Sequence, residues 1–98
     1  MTYLVDANVL SEPTKPRPDA KVVAWLSAVA DTVDCLAWDA PVSRRWAQLV
    51  ADLKKKGHTL PVLDSMIAAT ALTHGLTVAT HNVRDFQKAG VPVMDPFV

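Results

Sequence analysis

Tyr3-Leu4-Val5-Asp6-Ala7-Asn8-Val9-Leu10 carries a short apolar run into a carboxylate and then into residues suited to a helical turn. Read this way, residues 2–6 are a buried strand and Asp6 stands at its carboxyl end. In an open α/β sheet, ligands bind in the outlet beyond the carboxyl ends of the strands. The pattern recurs twice. Asp64 lies in Leu63-Asp64-Ser65-Met66-Ile67-Ala68-Ala69-Thr70-Ala71, and Asn82 and Asp85 follow the apolar run Leu76-Thr77-Val78-Ala79-Thr80. Carboxylates gathered at such an outlet supply the hard oxygen ligands that Mg²⁺ and Mn²⁺ prefer. The first expectation is therefore a metal-dependent enzyme acting on phosphate esters.

Working outward, residues 8–12 read as a short helical turn, stopped by Pro13, Pro16 and Pro18. Asp19 suits the N-cap of a helix to about Ala30, with Val22, Trp25, Leu26 and Val29 on one face. A short strand is expected over 34–38. Asp39 and Pro41 form a helix start signal, and Val42, Trp46, Leu49, Val50 and Leu53 recur at helical spacing. Lys54-Lys55-Lys56 falls in the last turn, where cations suit the helix dipole, and Gly57 ends the helix. A helix rich in small residues runs from Asp64 to His74 and Gly75. A strand at 76–80, a helical turn at 82–88 and a strand at 91–94 complete the chain. Strands alternating with helices argue for βαβ units, a parallel sheet and right-handed crossovers.

The 98 residues allow a single domain, and half of them are hydrophobic, enough for a small core. Lysine plus arginine and aspartate plus glutamate both count 10, so no global field attracts nucleic acid, although a local basic rim remains open. The single cysteine, Cys35, excludes an internal disulfide and suits a buried position in a reducing compartment. No signal peptide is read at the N-terminus, and no apolar run approaches the roughly 20 residues that span a bilayer. A soluble, cytoplasmic protein without membrane contact is expected.

Each candidate has a structural alternative. Asp6 could accept backbone N–H bonds from the turn after it, because a carboxylate at a buried strand end must find donors or a cation. Asn8 and Ser11 could support it or serve as turn residues. Asp64 could be an N-cap, and so could Asn82 and Asp85. Small residues Ala68, Ala69 and Ala71 would let the helix approach the sheet closely and bring Asp64 near the end of the first strand. His58, His74 and His81 do not fall at a zinc spacing. His74 suits a helix C-terminus, and His81 could contact phosphate beside the outlet. The lysine run is read as a solvated helix end.

MTYLVDANVLSEP, LDSMIAATALTHGLTVATHNVRDF and VPVMDPFV, together with VVAWL at 22–26 and the helix from Pro41 to Lys56, resemble the PIN-domain family. Within it, they are most similar to the VapC-type toxins of bacterial toxin–antitoxin pairs. The resemblance covers nearly the whole chain in two blocks, residues 1–33 and about 34–98. It implies a three-layer α/β/α domain with a mainly parallel sheet, here of about four strands. It implies a Mg²⁺- or Mn²⁺-dependent endoribonuclease, with RNA as substrate and an antitoxin protein as its restraint. The metal ligands would be Asp6 and Asp64. Asn82 takes the last family position, where many relatives carry aspartate, and Asp85 could supply the missing charge. Asp6, Asp64, Asn82 and Asp85 together form the expected catalytic set.

The chain departs from the family between about 33 and 34. Relatives carry there a second strand, a helix with an acidic metal ligand, and further helices. Without them, the 34–38 strand is expected to pair directly with residues 2–6. Glu12 or Asp39 could replace the lost acid. Trp46 and its stripe should be partly uncovered, which favours a homodimer. Metal binding and cleavage should be weaker than in an intact relative. The alternative is a catalytically inactive remnant that acts as a protein-binding or dimerisation module.

Overall fold

Asp39, as expected of the helix start signal, accepts a hydrogen bond from the Val42 backbone N–H at 3.1 Å and opens helix α3, Ala40–Lys55. A computed structural model describes residues 3–29 and 38–98 of the chain. In it, strand β1 (Tyr3–Val5) leads into a one-turn helix α1 (Ala7–Leu10) and a 3₁₀ turn at Glu12–Thr14. Helix α2 spans Ala20–Val29, and the Lys21 N–H donates to Asp19 Oδ1 at 2.8 Å. After α3 come helix α4 (Val62–His74), strand β2 (Thr77–Ala79), helix α5 (Val83–Lys88) and strand β3 (Val93–Met94). Gly75 ends α4 with φ of 66°, a left-handed conformation that glycine adopts without steric cost.

The sheet is parallel throughout its described part, in the order β1-β2-β3. Val5 stands opposite Ala79, and Ala79 opposite Met94, so the three carboxyl ends lie side by side. Two main-chain bonds carry the ladder one residue further. The Asp6 N–H donates to the Ala79 carbonyl and the Thr80 N–H to the Met94 carbonyl, each at 2.9 Å. Of the roughly four strands expected, three lie among the described residues. Residues 34–37 of the strand read at 34–38, with its pairing to residues 2–6 and the place of Cys35, fall outside them.

Successive strand residues point to opposite faces of a sheet, and β1 shows what each face meets. Tyr3 packs edge-to-face on Trp25 of α2, with ring centroids 5.6 Å apart. Leu4 packs into the core on the other face, with Val78, Phe86, Leu49, Leu53 and the small residues Ala68, Ala69 and Ala71. Helices therefore cover both faces, which gives the α/β/α layering. The alanines let α4 lie close to the sheet, and fully buried Phe86 alone contributes on the order of 2 kcal/mol of hydrophobic burial.

The α3 stripe divides. Val42, Leu49 and Leu53 are buried, Trp46 is half-buried and Val50 is exposed. Trp46 donates its Nε1–H to Ser65 Oγ at 2.9 Å, which joins α3 to α4. Beside it lies an open apolar groove of about 350 Å³, lined by Trp38, Ser43, Trp46, Ala47, Val62 and Met66. No described helix is long and apolar enough to cross a membrane.

Candidate active site

Asp6 is held at the end of β1 with 5% of its surface exposed. Its main-chain carbonyl accepts from the N–H groups of Val9 and Leu10, which starts the turn that follows the strand. Its side chain faces the neighbouring strand, where Thr80 Oγ1 donates to Asp6 Oδ2 at 2.7 Å. Parallel register dictates that meeting, since Asp6 and Thr80 each stand one residue beyond a paired position. Thr80 is fully buried and also accepts from the Asn82 backbone N–H at 3.0 Å. One hydroxyl thus ties the β1 carboxylate to the loop that leaves β2.

Asp64 does not cap α4. Pro61 occupies the cap position, and Asp64 lies in the first helical turn with its side chain turned toward the strand outlet. Asn82 does stand at the N-cap of α5, yet its side chain makes no capping bond. Its amide instead donates from Nδ2 to Asp64 Oδ2 at 3.2 Å and to Asp85 Oδ2 at 3.0 Å. Burial raises the Asp64 carboxyl above the ordinary carboxylate range, and the charge of Asp6 adds to the effect. The Asn82 amide opposes it by favouring the charged form, and Asp85 adds a further upward push.

The four expected residues are thus coupled across β1, α4 and the β2–α5 junction. Thr80 is the member that the sequence reading passed over. Its signal is a hydroxyl at the last position of an otherwise apolar strand. The two suggested substitutes for a missing acid stand elsewhere. Asp39 is exposed and caps α3. Glu12 is buried and its charge is met by Lys15, whose Nζ lies 2.9 Å from Oε2, although that oxygen receives no hydrogen bond of good geometry. Among the described residues, no three histidine, cysteine, aspartate or glutamate side chains converge closely enough to cage an ion by themselves. Of the histidines, His74 is exposed at the C-terminal end of α4 and His58 follows α3. His81 lies between Thr80 and Asn82, and its Nδ1 is 3.2 Å from Asp95 Oδ2.

The PIN domain family model matches residues 29–92, well over half of the chain. The chain belongs to the PIN-domain family. Within that family it is similar to the toxin FitB of Neisseria gonorrhoeae, with 31% identity over 135 aligned positions that take in 96% of this chain and 97% of FitB. It is also similar to the VapC ribonuclease Y4jK of Sinorhizobium fredii, at 29% identity over 96% of each chain. Its fold matches the crystal structure of FitAcB from N. gonorrhoeae with a TM-score of 0.86 and 30% identity, covering 98% of this chain and 99% of that one. These likenesses place it among the VapC-type toxins of the PIN family.

Proposed function

We propose that this PIN domain is a divalent-metal-dependent endoribonuclease, the toxin of a toxin–antitoxin pair. The observation that carries the reading is the gathering of the Asp6, Asp64 and Asp85 carboxyls at the carboxyl ends of parallel strands, linked through Thr80 and Asn82. The charge of Asp6 adds to the burial that raises the proton affinity of Asp64, and carboxyl oxygens gathered in such an outlet are hard ligands. That donor set fits Mg²⁺ or Mn²⁺ with water completing the shell. The names of the relatives support RNA as substrate, and the FitAcB assembly, which joins a second component to FitB, supports an antitoxin partner.

When bound, the ion would lower the pKa of a coordinated water and offset charge on the phosphodiester. The chain's own groups do the rest. Asp6 and Asp64 would hold the ion. Thr80 fixes the Asp6 carboxylate through its hydroxyl proton. Asn82 places a neutral donor between Asp64 and Asp85 and so keeps Asp64 ionised more than burial alone would allow. Asp85 adds negative charge and positions water or substrate at the rim. The Thr80 hydroxyl is fully buried and engaged by both Asp6 and the Asn82 N–H, so attack by water fits better than a covalent intermediate on it.

The reading includes a single domain shortened between about residues 33 and 34. An alignment of 135 positions exceeds the 98 residues of the chain while using nearly all of it, which supports an internal loss. A cluster limited to two ligand carboxylates then implies weaker metal binding than in an intact relative. The apolar groove beside Trp46 favours the second reading, an inactive remnant that binds a partner or pairs with itself. A cytoplasmic location goes with either.

Cleavage of a labelled structured RNA by monodisperse protein decides between them. Mn²⁺ is compared with EDTA, and Asp6→Asn and Asp64→Asn are run in parallel. Cleavage that needs the metal and both aspartates is the expected result. A folded wild-type protein that leaves the RNA intact would select the binding module instead.

A further inference from the structure

His81 is placed by its neighbours on both sides. The residue before it, Thr80, holds Asp6, and the residue after it, Asn82, holds Asp64 and Asp85. Its imidazole is therefore carried by a segment anchored to the acidic outlet at each end, one residue step from either anchor. The ring is oriented as well. Asp95, just past the end of β3, faces His81 Nδ1 at 3.2 Å. An ionised carboxylate only accepts, so Nδ1–H donates to Asp95, and the imidazolium form offers its second N–H, at Nε2, outward. Asp95 is itself fixed, since its Oδ1 accepts from the Phe97 N–H at 2.8 Å and its side chain is only 15% exposed. The Phe97 ring lies against the imidazole with centroids 4.5 Å apart.

A pair built only to stabilise the fold would gain by burial, because exposed ion pairs contribute little. The His81 side chain is instead 64% exposed, while its acid partner is tucked away. The setting also calls for such a group. RNA approaching Asp6, Asp64 and Asp85 meets negative charge, and the chain's net charge of zero provides no general attraction. Of the cations on the neighbouring α5, Lys88 stands 4.0 Å from Asp85 and Arg84 is exposed.

We infer that His81, oriented by Asp95 and Phe97, is a substrate-contact residue whose imidazolium Nε2–H donates to a backbone phosphate of the RNA strand entering the Asp6–Asp64 outlet. This rests on the reading of that outlet as a ribonuclease site. The contact sets how the strand is laid across the outlet and does not take part in breaking the phosphodiester bond. Asp95 is a positioning residue that acts through His81.

The test is the binding of a fluorescein-labelled single-stranded RNA, followed by anisotropy with Ca²⁺ in place of Mg²⁺. The full chain is compared with its His81→Ala, His81→Lys and Asp95→Asn variants, and the melting temperature of each is measured. His81→Ala should weaken binding about tenfold, the effect of one charge-assisted hydrogen bond. His81→Lys should restore it, because an ammonium also binds phosphate. Asp95→Asn should fall between, since asparagine keeps the Phe97 turn but holds the imidazole less firmly. Melting temperatures should stay together. Binding by His81→Ala equal to wild type would overturn the inference. So would a loss that follows a lowered melting temperature and is not rescued by lysine, which would make the pair a tail anchor. So would a wild-type chain that binds no RNA. Wild-type protein that binds RNA through His81 but does not cleave it in Mn²⁺ would remove the ribonuclease reading and leave the phosphate contact standing.

Discussion

The strand outlet and the groove beside Trp46 use the same chain in opposite ways. At the outlet, polar groups are drawn inward and bonded to one another: Thr80 to Asp6, and Asn82 to both Asp64 and Asp85. At the groove, apolar groups are left outward. Trp38 lies edge-to-face with Trp46 at 6.2 Å, and Val62 is 66% exposed. Buried polar groups are tolerated only when satisfied, so the outlet shows an arrangement with a purpose beyond packing. An exposed apolar patch of this kind marks a surface against which a partner packs. The outlet is assembled from β1 and from residues 62–85, which the chain keeps, whereas the groove flanks the start of α3, next to the proposed loss. The polar cluster is thus kept in one region while apolar surface is left uncovered in another.

The largest effect that would break this contrast is at Asp6. Asp6→Asn should lower metal-dependent cleavage at least about a hundredfold, since it removes one of the two carboxylates proposed as ligands. Because it also removes a like charge, the Asp64 carboxyl should move down toward its ordinary range. NMR titration of the Asp64 side chain reads that second effect independently of activity. An Asp64 titration unchanged by the substitution would show that the two carboxylates are not coupled.

Thr80→Val tests whether the buried hydroxyl organises the outlet. It keeps the shape and leaves the Asp6 carboxylate and the Asn82 N–H each short of a partner. A buried polar group left unsatisfied costs about 1–3 kcal/mol, so denaturant unfolding should show a loss in that range. Cleavage should fall about tenfold, because the ligand is retained but less well held. A neutral result on both counts would make Thr80 a packing residue.

The groove makes a smaller prediction. Trp46→Phe keeps the ring but removes the bond to Ser65 Oγ, which should cost about 1 kcal/mol. Val62→Lys, at an exposed rim position, should leave stability within about 0.5 kcal/mol. It should also shift any self-association toward monomer in analytical ultracentrifugation. A dimer equally stable with lysine at the rim would place the self-contact elsewhere.

Much of this architecture was legible in the residues because short-range rules govern it. Asp39 and Pro41 marked the start of α3, Asp19 capped α2, and Gly75 ended α4 with the positive φ that its place requires. The alternation of strand and helix fixed a parallel sheet, and with it the outlet at the carboxyl ends. What could not be read locally was the direction of side chains that had two uses. Asp64 and Asn82 both looked like caps. Pro61 occupies one cap position, and the amide in the other turns away from its helix toward two carboxylates. Thr80 escaped because a threonine at a strand end is ordinary until register sets it beside Asp6. The contacts of Asp95 with His81 and Phe97 depend on the third strand and the chain end folding back beside the second, which periodicity does not reveal.

The smallest effect concerns pH, and its sign separates a charged outlet from a merely buried one. The Asp64 carboxyl is raised in the folded state, so over the range just above the ordinary carboxylate value the folded protein binds more protons than the unfolded chain. Stability then falls as pH rises through that range, the reverse of a salt-bridged carboxylate. Without divalent metal, the wild-type melting temperature should drop slightly between about pH 4 and pH 6 relative to Asp64→Asn, which carries no titrating group there. Mn²⁺ at neutral pH should recover the difference for the wild type and leave Asp64→Asn almost unmoved, because a ligand that binds only the folded state stabilises it. Burial alone would give the pH slope without the metal rescue, so a wild type indifferent to Mn²⁺ would leave Asp64 as a buried acid with no ion to hold.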